Sequence, residues 1–493
     1  MASTDHPLGI LLIASEVEGL VKTGGLADVA RALPETLARL GHDVIVVSPA
    51  YGKIQSIWHN WPSTPLCVHL NAFTETWMAS RRGRQNGLNL VLLEHEGFYA
   101  RPGIYDDGES PYPDNPVRFA HLCKGALQWC IDHQWQPDIV HANDWQAALA
   151  PFYLKEHYRK LPFFERSRSL LTLHNAAYQG QAPSHWLQQL GIHDQFFHPG
   201  AFEDNGQLNL LKGGIRFADA INAVSPGYAS ELVTDLGGHG LAPLFRDRSK
   251  DLHGILNGCD YGQWSPLTDP LIPAQYSKPD EGGKANCKKH LQQELGLAAE
   301  PDTPLLVCIS RLADQKGFQL MIPALWEVMR DEQVQVAILG SGDRNTAAHL
   351  QRLDQHFANR FAFIEGYDMA LSHRMEAAGD AFLMPSIFEP CGLNQIYSLC
   401  YGTLPLVRAV GGLKDTVVPL NRQQSNSRSA TGFMFEALSA EALEAEIRRM
   451  LKVYRDKPGL WLSMQRNAMK QRFEWTGAAE QYVSLYRSML SAD

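Results

Sequence analysis

Residues 384–402 read Met384-Pro-Ser-Ile-Phe-Glu-Pro-Cys-Gly-Leu-Asn-Gln-Ile-Tyr-Ser-Leu-Cys-Tyr-Gly402. The apolar run before them, residues 381–384, predicts a buried strand that ends at Pro385. Gly392 then opens an apolar helical pattern, so the stretch predicts a strand, a tight turn and the start of a helix. Free N–H groups and the positive end of the helix dipole make such a turn a candidate anion site.

Glu389 lies within this turn and does not suit an anion. A phosphate would repel its carboxylate, whereas a sugar hydroxyl or a developing positive charge would be stabilised by it. An anion site that contains a carboxylate therefore points to a phosphorylated sugar as the ligand.

The surrounding segments continue an alternation of strands and helices. Strands are predicted at residues 305–310, 334–339, 361–366, 381–384 and 404–407. Arg311 and Lys316 follow the first of these strands, and their spacing lets both side chains reach one anion. Glycines at neighbouring strand ends (Gly340, Gly342, Gly411 and Gly412) add to a predicted pyrophosphate site, although a solvated surface pair remains the alternative for Arg311 and Lys316.

The first part of the chain predicts a βαβ unit and hence a parallel sheet. A strand at residues 8–15 leads into the loop Lys22-Thr-Gly-Gly-Leu-Ala-Asp28, then an amphipathic helix and a strand at 44–47. Gly24 and Gly25 permit a ligand to approach the backbone at the strand's carboxyl end, where doubly wound sheets bind ligands. A plain strand-to-helix turn is the alternative.

Polar residues also end three further apolar runs in this half. Asp144 ends one, His174 and Asn175 end another, and residues 220–226 form the third. These ends should meet at one edge of the sheet beside Lys22. Two alternatives stay open: Asp144 caps the following helix, or His174 is a hydrogen-bonded core histidine. Tyr112 lies in a segment, 105–115, that predicts a surface loop bordering a cleft; an ordinary loop aromatic is its alternative.

Length and composition bound the possibilities. A chain of 493 residues exceeds one ordinary core, so we expect domains at 1–255 and 267–465 with a Gly/Pro-rich hinge at 256–266. The segment 466–493 is predicted to be helical, and a return of this segment to the first domain is one possibility. A net charge of −9 argues against nucleic-acid or anionic-membrane partners. Eight cysteines without a Cys-x-x-Cys pair indicate reduced thiols in a cytoplasmic protein. The 19 histidines lack the usual metal-ligand spacing, so no metal site is expected.

Six motifs occur in order along the chain: Lys22-Thr-Gly-Gly-Leu-Ala-Asp28, His141-Ala-Asn-Asp-Trp145, His174-Asn175, Ser310-Arg311 with Lys316-Gly317, Glu389-Pro-Cys-Gly-Leu393, and Tyr401-Gly-Thr-Leu-Pro405. With them the chain resembles the bacterial glycogen synthases and plant starch synthases over essentially its whole length. The resemblance implies the α/β GT-B architecture, in which two Rossmann-like, doubly wound domains face a deep cleft. It also implies retaining transfer of glucose from ADP-glucose to the non-reducing end of an α-1,4-glucan such as glycogen, without a metal or other cofactor.

The resemblance also implies roles for individual residues. Arg311 and Lys316 would neutralise the diphosphate, Glu389 would hold glucose hydroxyls, and His174 and Asp144 would face the sugar. Substrate contacts are expected from Lys22, Gly24, Gly25, Asp28, Tyr112, Asn175, Asn257, Ser310, Cys391, Gly392 and Leu393. The chain departs from the family pattern at residues 16–20, where a proline is usual, at Asn143 in place of histidine and at Asn394 in place of threonine.

Alternatives remain for both mechanism and function. We favour attack by the acceptor hydroxyl on the same face of the glucose from which the leaving group departs. The competing route passes through a covalent intermediate on Glu389. The donor could instead be UDP-glucose or another nucleotide sugar. A catalytically weak glucan-binding subunit is a third hypothesis, against which the complete set of charged residues argues.

Overall fold

The computed structural model describes residues 6–280 and 282–491, which form two compact units. The first unit contains the chain up to Asn257 together with the segment from Trp475 onward, and the second runs from Gly258 to Glu474. The division after Asn257 falls within the predicted hinge. Residues 466–474, expected in the returning segment, belong to the second unit instead.

The first unit is built on strands that are mostly parallel. They are β1 Gly9–Ile13, β2 Asp43–Pro49, β3 Ser63–His69, β4 Glu75–Gln85, β5 Leu88–Glu94, β6 Ile139–Asn143, β7 Arg168–Leu173, β8 Gln181–Ala182, β9 Glu203–Asp204, β10 Gln207–Asn209, β11 Ala220–Ala223 and β12 Leu252–Gly254. Nine of them pair in the order β12-β11-β7-β6-β1-β2-β5-β4-β3, and β8, β10 and β9 form a small separate sheet. The antiparallel extension through β4 and β3 was not foreseen from the sequence.

Nine helices accompany these strands in the described part of the first unit before Asn257. They are α1 Gly25–Arg39, α2 Gln55–Trp58, α3 Glu96–Tyr99, α4 Asn115–Asp132, α5 Asp144–Ala147, α6 Leu149–Phe152, α7 Leu210–Phe217, α8 Pro226–Leu232 and α9 Ala242–Asp247. The helical segment after β6 is divided into α5, α6 and a π-helical turn at Tyr153–His157.

The second unit is a six-stranded parallel sheet with helices. Its strands are β13 Leu305–Ile309, β14 Gln335–Gly340, β15 Phe361–Glu365, β16 Ala381–Met384, β17 Leu404–Arg408 and β18 Phe433–Phe435. They pair in the order β15-β14-β13-β16-β17-β18. Its helices are α10 Gly283–Glu294, α11 Phe318–Asp331, α12 Arg344–His356, α13 Met369–Ala378, α14 Asn394–Tyr401, α15 Gly411–Thr416, α16 Ala440–Asp456 and α17 Pro458–Met469. Among the described helices, none combines the length and apolarity that a membrane span requires.

Each main sheet has a point where its strand order reverses. In the first unit β1 lies between β6 and β2, and in the second β13 lies between β16 and β14. The connections from these strands run in opposite directions, so a crevice opens at their carboxyl ends, where open α/β sheets bind ligands. The loops after β1, β6, β13 and β16 carry most of the predicted site residues.

The last helix, α18 Trp475–Ser491, completes the core of the first unit. Trp475, Tyr482 and Tyr486 are buried there with residues of β1 and α1. The Tyr482 hydroxyl accepts a hydrogen bond from Asn222 Nδ2 at 2.9 Å, and the Tyr486 hydroxyl lies 2.8 Å from His141 Nδ1. A segment distant in the sequence therefore supplies part of the core that supports β6.

Replacing Tyr482 by alanine should destabilise the first unit by about 3–5 kcal/mol, because the change leaves a cavity and removes a partner of Asn222. Gln481→Ala, one residue earlier on the exposed side of α18, should change stability by less than about 0.5 kcal/mol. Urea denaturation followed by circular dichroism measures both. Equal midpoints for the two variants would contradict the packing of α18 described here.

Candidate active site

In the second unit, the loop after β13 is fastened to the loop after β16. The two strands are parallel neighbours. Ile387 N donates to Gln315 O at 2.8 Å, and Gln315 Nε2 donates to Phe388 O at 3.2 Å. Gly317 has a φ of +74°, and a Cβ there would lie 2.0 Å from Pro385 O. Only glycine allows this approach, which positions the preceding residue, Lys316.

The fastened loops bring Lys316 and Glu389 into direct contact. Lys316 Nζ lies 2.7 Å from Glu389 Oε2, and Ser386 Oγ donates to the same oxygen at 2.8 Å. Glu389 is only 5% exposed. A carboxylate at that depth requires a cation and hydrogen-bond donors, and Lys316 and Ser386 meet this requirement.

Arg408, at the end of β17, supports the Glu389 loop by hydrogen bonds to its backbone. Its Nε donates to Ser386 O at 2.9 Å, and its guanidinium also donates to Ile387 O and to Glu436 O. Arg408 was not predicted as a site residue. An arginine at the end of an otherwise apolar strand is the sequence feature that would have indicated it.

Two glycines on the adjacent loop complete this region. A Cβ on Gly411 would lie 2.0 Å from Glu389 O, and one on Gly412 would lie 2.4 Å from Cys391 O. Gly412 N donates to Glu389 O at 3.1 Å. Cys391 is buried, whereas Gly392 and Leu393 are half-buried at the start of α14.

Arg311 follows β13, as predicted, whereas Ser310, expected as the last residue of that strand, lies just beyond its end. The Ser310 hydroxyl donates to Arg311 O at 3.1 Å, and the Arg311 side chain is exposed. Lys316 and Glu389 are thus joined by direct contact, while Arg311 lies in the same loop as Lys316 but extends to solvent.

In the first unit, the loop after β1 holds Lys22 between two carboxylates. Lys22 Nζ lies 2.6 Å from Asp28 Oδ1 and 3.3 Å from Glu18 Oε1. Burial alone lowers the pKa of Lys22, but the two carboxylates outweigh it and hold that pKa above its ordinary value. Burial raises the pKa of Asp28 to about 6, against the opposing effect of Lys22.

Glu16 fixes the shape of this loop. Its carboxylate accepts hydrogen bonds from Thr23 N and Thr23 Oγ1, the latter at 2.6 Å, and from the Tyr105 hydroxyl. Tyr105 is thereby anchored, so the segment 105–115 is not purely a surface loop. The sequence analysis noted residues 16–20 only as a departure from the family pattern and assigned Glu16 no role.

Asp144 and His174 meet at the ends of β6 and β7. Asp144 Oδ1 accepts from His174 N at 2.6 Å and from Asn175 N at 3.3 Å. The alternative that Asp144 caps the following helix is therefore wrong, since its side chain bonds the adjacent strand end. Its φ of +54° is unusual outside glycine.

His174 is neutral and its tautomer is set by Asn143. Burial lowers the pKa of His174 to about 3. Its Nε2 lies 2.9 Å from Asn143 Oδ1, whose amide Nδ2 donates to Ile13 O at 3.2 Å. Because the amide oxygen accepts, Nε2 carries the proton, which leaves Nδ1 as an acceptor.

A pocket of about 680 Å³ lies beside these residues in the first unit. Its lining includes Tyr112, Trp145, Tyr178, Gln181, His185 and Trp186. The guanidinium groups of Arg101 and Arg118 lie 4.8 Å and 5.0 Å from the Tyr112 ring centroid, which orients that ring. Asn257, the last residue before the second unit, is buried, and its Oδ1 accepts no hydrogen bond from the described residues.

Comparison with protein families assigns both halves of the chain. Residues 9–247 match the family described as the starch synthase catalytic domain, and residues 293–470 match the glycosyl transferases group 1 family. The glycogen synthase of Aeromonas hydrophila is 45% identical over 500 residues, with 99% of each chain covered.

Solved structures agree with this assignment. The catalytic domain of starch synthase IV from Arabidopsis thaliana, bound to ADP and acarbose, is 31% identical and has a TM-score of 0.89, with 99% of this chain and 100% of that chain covered. A sucrose-phosphate synthase from Thermosynechococcus elongatus is 19% identical, with a TM-score of 0.61 over 98% and 99% of the two chains, and supports the fold alone. The predicted GT-B fold class, with two Rossmann-like domains, is confirmed.

Asp144→Asn should remove a pH dependence from stability. Burial raises the pKa of Asp144 to about 7, against an ordinary value of 3.8. Between about pH 4 and pH 7 the folded protein retains a proton that the unfolded chain releases, so this residue makes stability fall as pH rises through that window. Each pKa unit corresponds to about 1.4 kcal/mol. Asparagine keeps an acceptor oxygen and tolerates positive φ.

Melting temperatures of wild type and variant from pH 4 to pH 8 measure this effect. The gain in stability of Asp144→Asn over wild type should grow up to about pH 7 and then stay constant. Parallel curves for Asp144→Asn and wild type would contradict the ionisation assigned here.

Proposed function

The chain belongs to the glycogen synthase and starch synthase family of glycosyltransferases, and on that premise we propose that its donor is ADP-glucose. The protein is a glucosyltransferase of glycogen synthesis. We further propose that the acceptor is the non-reducing end of an α-1,4-glucan and that the configuration at the transferred carbon is retained. The related plant starch synthase is bound to ADP and acarbose, which supports both substrate assignments.

The contact between Lys316 and Glu389 carries this proposal. A nucleotide sugar presents a diphosphate and a glucose side by side, and here an ammonium and a carboxylate lie 2.7 Å apart where the strand order reverses. We assign Lys316 and Arg311 to the diphosphate, and Glu389 to the glucose hydroxyls. In the free protein Lys316 and Glu389 neutralise each other, so a bound diphosphate competes for Lys316.

The reaction requires charge stabilisation as the leaving group departs. The bond between the anomeric carbon and the phosphate oxygen breaks, and negative charge grows on ADP where Lys316 and Arg311 are assigned. The acceptor hydroxyl oxygen bonds to the anomeric carbon on the same face, and its proton passes to the departing phosphate. The products are ADP and a glucan that is longer by one glucose.

The hydrogen bonding of Glu389 favours a binding role over covalent attack. Oε2 is shared by the Lys316 ammonium and the Ser386 hydroxyl. These contacts neutralise the charge that a nucleophilic carboxylate needs, and they leave Oε1 to accept from glucose hydroxyls. We therefore prefer same-face attack to a glycosyl intermediate on Glu389.

In the first unit, we assign Lys22, Gly24 and Gly25 to the donor. Apart from each glycine, its chain neighbours and the nearby backbone of α1, no heavy atom of the described residues lies within 4 Å of the position that a Cβ would take on either glycine. Gly24 has an ordinary extended φ of −157°. The fold itself therefore does not require glycine at these positions, and the space beside them suits a ligand. His174 Nδ1 can accept from a sugar hydroxyl, and Asp144 positions the strand end that carries His174.

The aromatic pocket of the first unit suits the glucan acceptor. Sugar rings present apolar faces that pack against aromatic side chains such as Trp145, Tyr178 and Trp186. Amide and imidazole groups, including Gln181 and His185, lie among these rings and can bond sugar hydroxyls. We also propose a cytoplasmic location, because the eight cysteines are free thiols, as is usual in a reducing compartment.

Incubation with radiolabelled ADP-glucose and glycogen tests the proposed donor. We expect label in the polymer, one ADP released for each glucose transferred, and a clear preference over UDP-glucose. A preference for UDP-glucose would contradict the proposed donor but would leave the proposed glucosyl transfer unchanged. Binding of glycogen without ADP release would instead favour the glucan-binding subunit.

Arg311→Ala should lower kcat by about ten- to 100-fold, because one charge-assisted contact to the leaving group is worth about 1.5–3 kcal/mol. Its melting temperature should match wild type, since the Arg311 side chain is exposed. Arg330→Ala, which removes an exposed arginine at the end of α11, is the control and should retain full activity. A wild-type kcat for Arg311→Ala would refute the leaving-group assignment.

A further inference from the structure

The outer face of the β3–β4 hairpin brings together three different metal-binding side chains. They are Cys67 and His69 on β3 and Glu75 on β4, and their ligand atoms all lie within 4.8 Å of one another. Cys67 and His69 are two residues apart on one strand, so both side chains point to the same face. His69 is paired directly with Glu75 across the hairpin.

The opposite face of the hairpin is used for packing. Leu66, Val68 and Met78 are buried there, so the alternation of the strands directs Cys67, His69 and Glu75 outward. Seven of the eight cysteines are buried, and Cys67 is the one with partial exposure. This thiol is therefore available to a solute that none of the others can reach.

The Cys67–His69 distance fits a tetrahedral metal site. A zinc–sulfur bond of about 2.3 Å and a zinc–nitrogen bond of about 2.0–2.1 Å at a tetrahedral angle place the two ligand atoms about 3.6 Å apart. Cys67 Sγ and His69 Nε2 are separated by 3.4 Å. The Glu75 oxygen can close the remaining distance by a rotamer change, because its side chain is exposed.

From this geometry we propose that Cys67, His69 and Glu75 form a Zn²⁺ site, separate from the residues assigned to glucosyl transfer. Thiolate, imidazole and carboxylate are all zinc ligands, and a water molecule would take the fourth position. Magnesium and calcium are excluded as the preferred ions because they take oxygen ligands. On binding, the thiol proton passes to solvent and the contact between sulfur and imidazole is replaced by two bonds to the metal.

Hydrogen bonds of two neighbouring residues lie next to the proposed ligands. Trp77 Nε1 donates to Glu75 Oε1 at 3.3 Å, a contact that the rotamer change of Glu75 would replace by a bond to the metal. Asn71 Oδ1 accepts from Phe73 N at 2.9 Å and from Thr74 N at 2.8 Å, which fixes the turn joining the two strands.

Such a site would join β3, the edge strand of the sheet, to β4 through the metal as well as through backbone hydrogen bonds. It would stabilise the antiparallel extension without altering the reaction. No motif predicted this site, because one of its ligands comes from a neighbouring strand. The histidine spacings that are typical of metal sites occur on helices and loops, and they do not describe ligands on two facing strands of a hairpin.

Thiol labelling of the intact, metal-free protein tests the site without using activity. Ellman's reagent should react rapidly with one thiol, and Cys67→Ser should abolish this phase. Micromolar Zn²⁺ should protect the thiol in wild type. His69→Ala and Glu75→Gln should each raise the zinc concentration required by at least about tenfold, since even an outer-shell change weakens metal binding about 10–100-fold. His290→Ala, a change at an exposed histidine in the second unit, should leave protection unchanged.

Cobalt provides a second measurement. Co²⁺ should give a near-ultraviolet thiolate charge-transfer band with wild type and none with Cys67→Ser. Equal zinc protection of wild type, His69→Ala and Glu75→Gln would show adventitious binding to a lone thiol and overturn the proposal. Absence of protection in wild type would overturn it as well. Melting temperatures without metal should be equal for all variants, which excludes misfolding as the cause.

Discussion

Burial of the Glu389 carboxylate is the constraint on which the second unit depends. A charge at 5% exposure is tolerated only beside a cation and a donor, here Lys316 and Ser386. Keeping them together requires the loops after β13 and β16 to be fastened, which Gly317 and Gln315 achieve. Arg408 then holds the Glu389 loop through the carbonyl groups of Ser386 and Ile387. The chemistry of the site and the packing of its loops are therefore one arrangement.

The first unit also contains buried carboxylates, and different residues stabilise them. Glu16 is buried and is satisfied by Thr23 and Tyr105, and Asp144 is satisfied by the backbone of His174 and Asn175. In both units these carboxylates follow strands at the point where the strand order reverses. Parallel strands leave N–H groups and loop backbone at that edge, so acidic side chains there can organise loops as well as contact a ligand.

Local patterns in the sequence predicted much of this molecule. The apolar runs located the strands near the motifs to within a few residues, and the glycine and lysine positions indicated the sheet edges that we propose for ligand binding. Three features were beyond them. Arg408 and Glu16 each bond a residue of another loop, Ile387 and Tyr105 respectively. The β3–β4 extension has no distinctive turn signal, and the side chain of Asp144 bonds a neighbouring strand instead of its own helix. Each depends on which strands lie side by side, and a local pattern does not contain that information.

The sequence by itself determined the strand and helix alternation, the two-domain organisation and the family, because these depend on residue periodicity and on ordered motifs. Only the tertiary structure decided that Lys316 pairs with Glu389, that Asn143 sets the tautomer of His174, and that Cys67, His69 and Glu75 share a face. Those contacts join residues on different strands or loops. Their existence depends on sheet register and loop packing, which are properties of the folded chain as a whole.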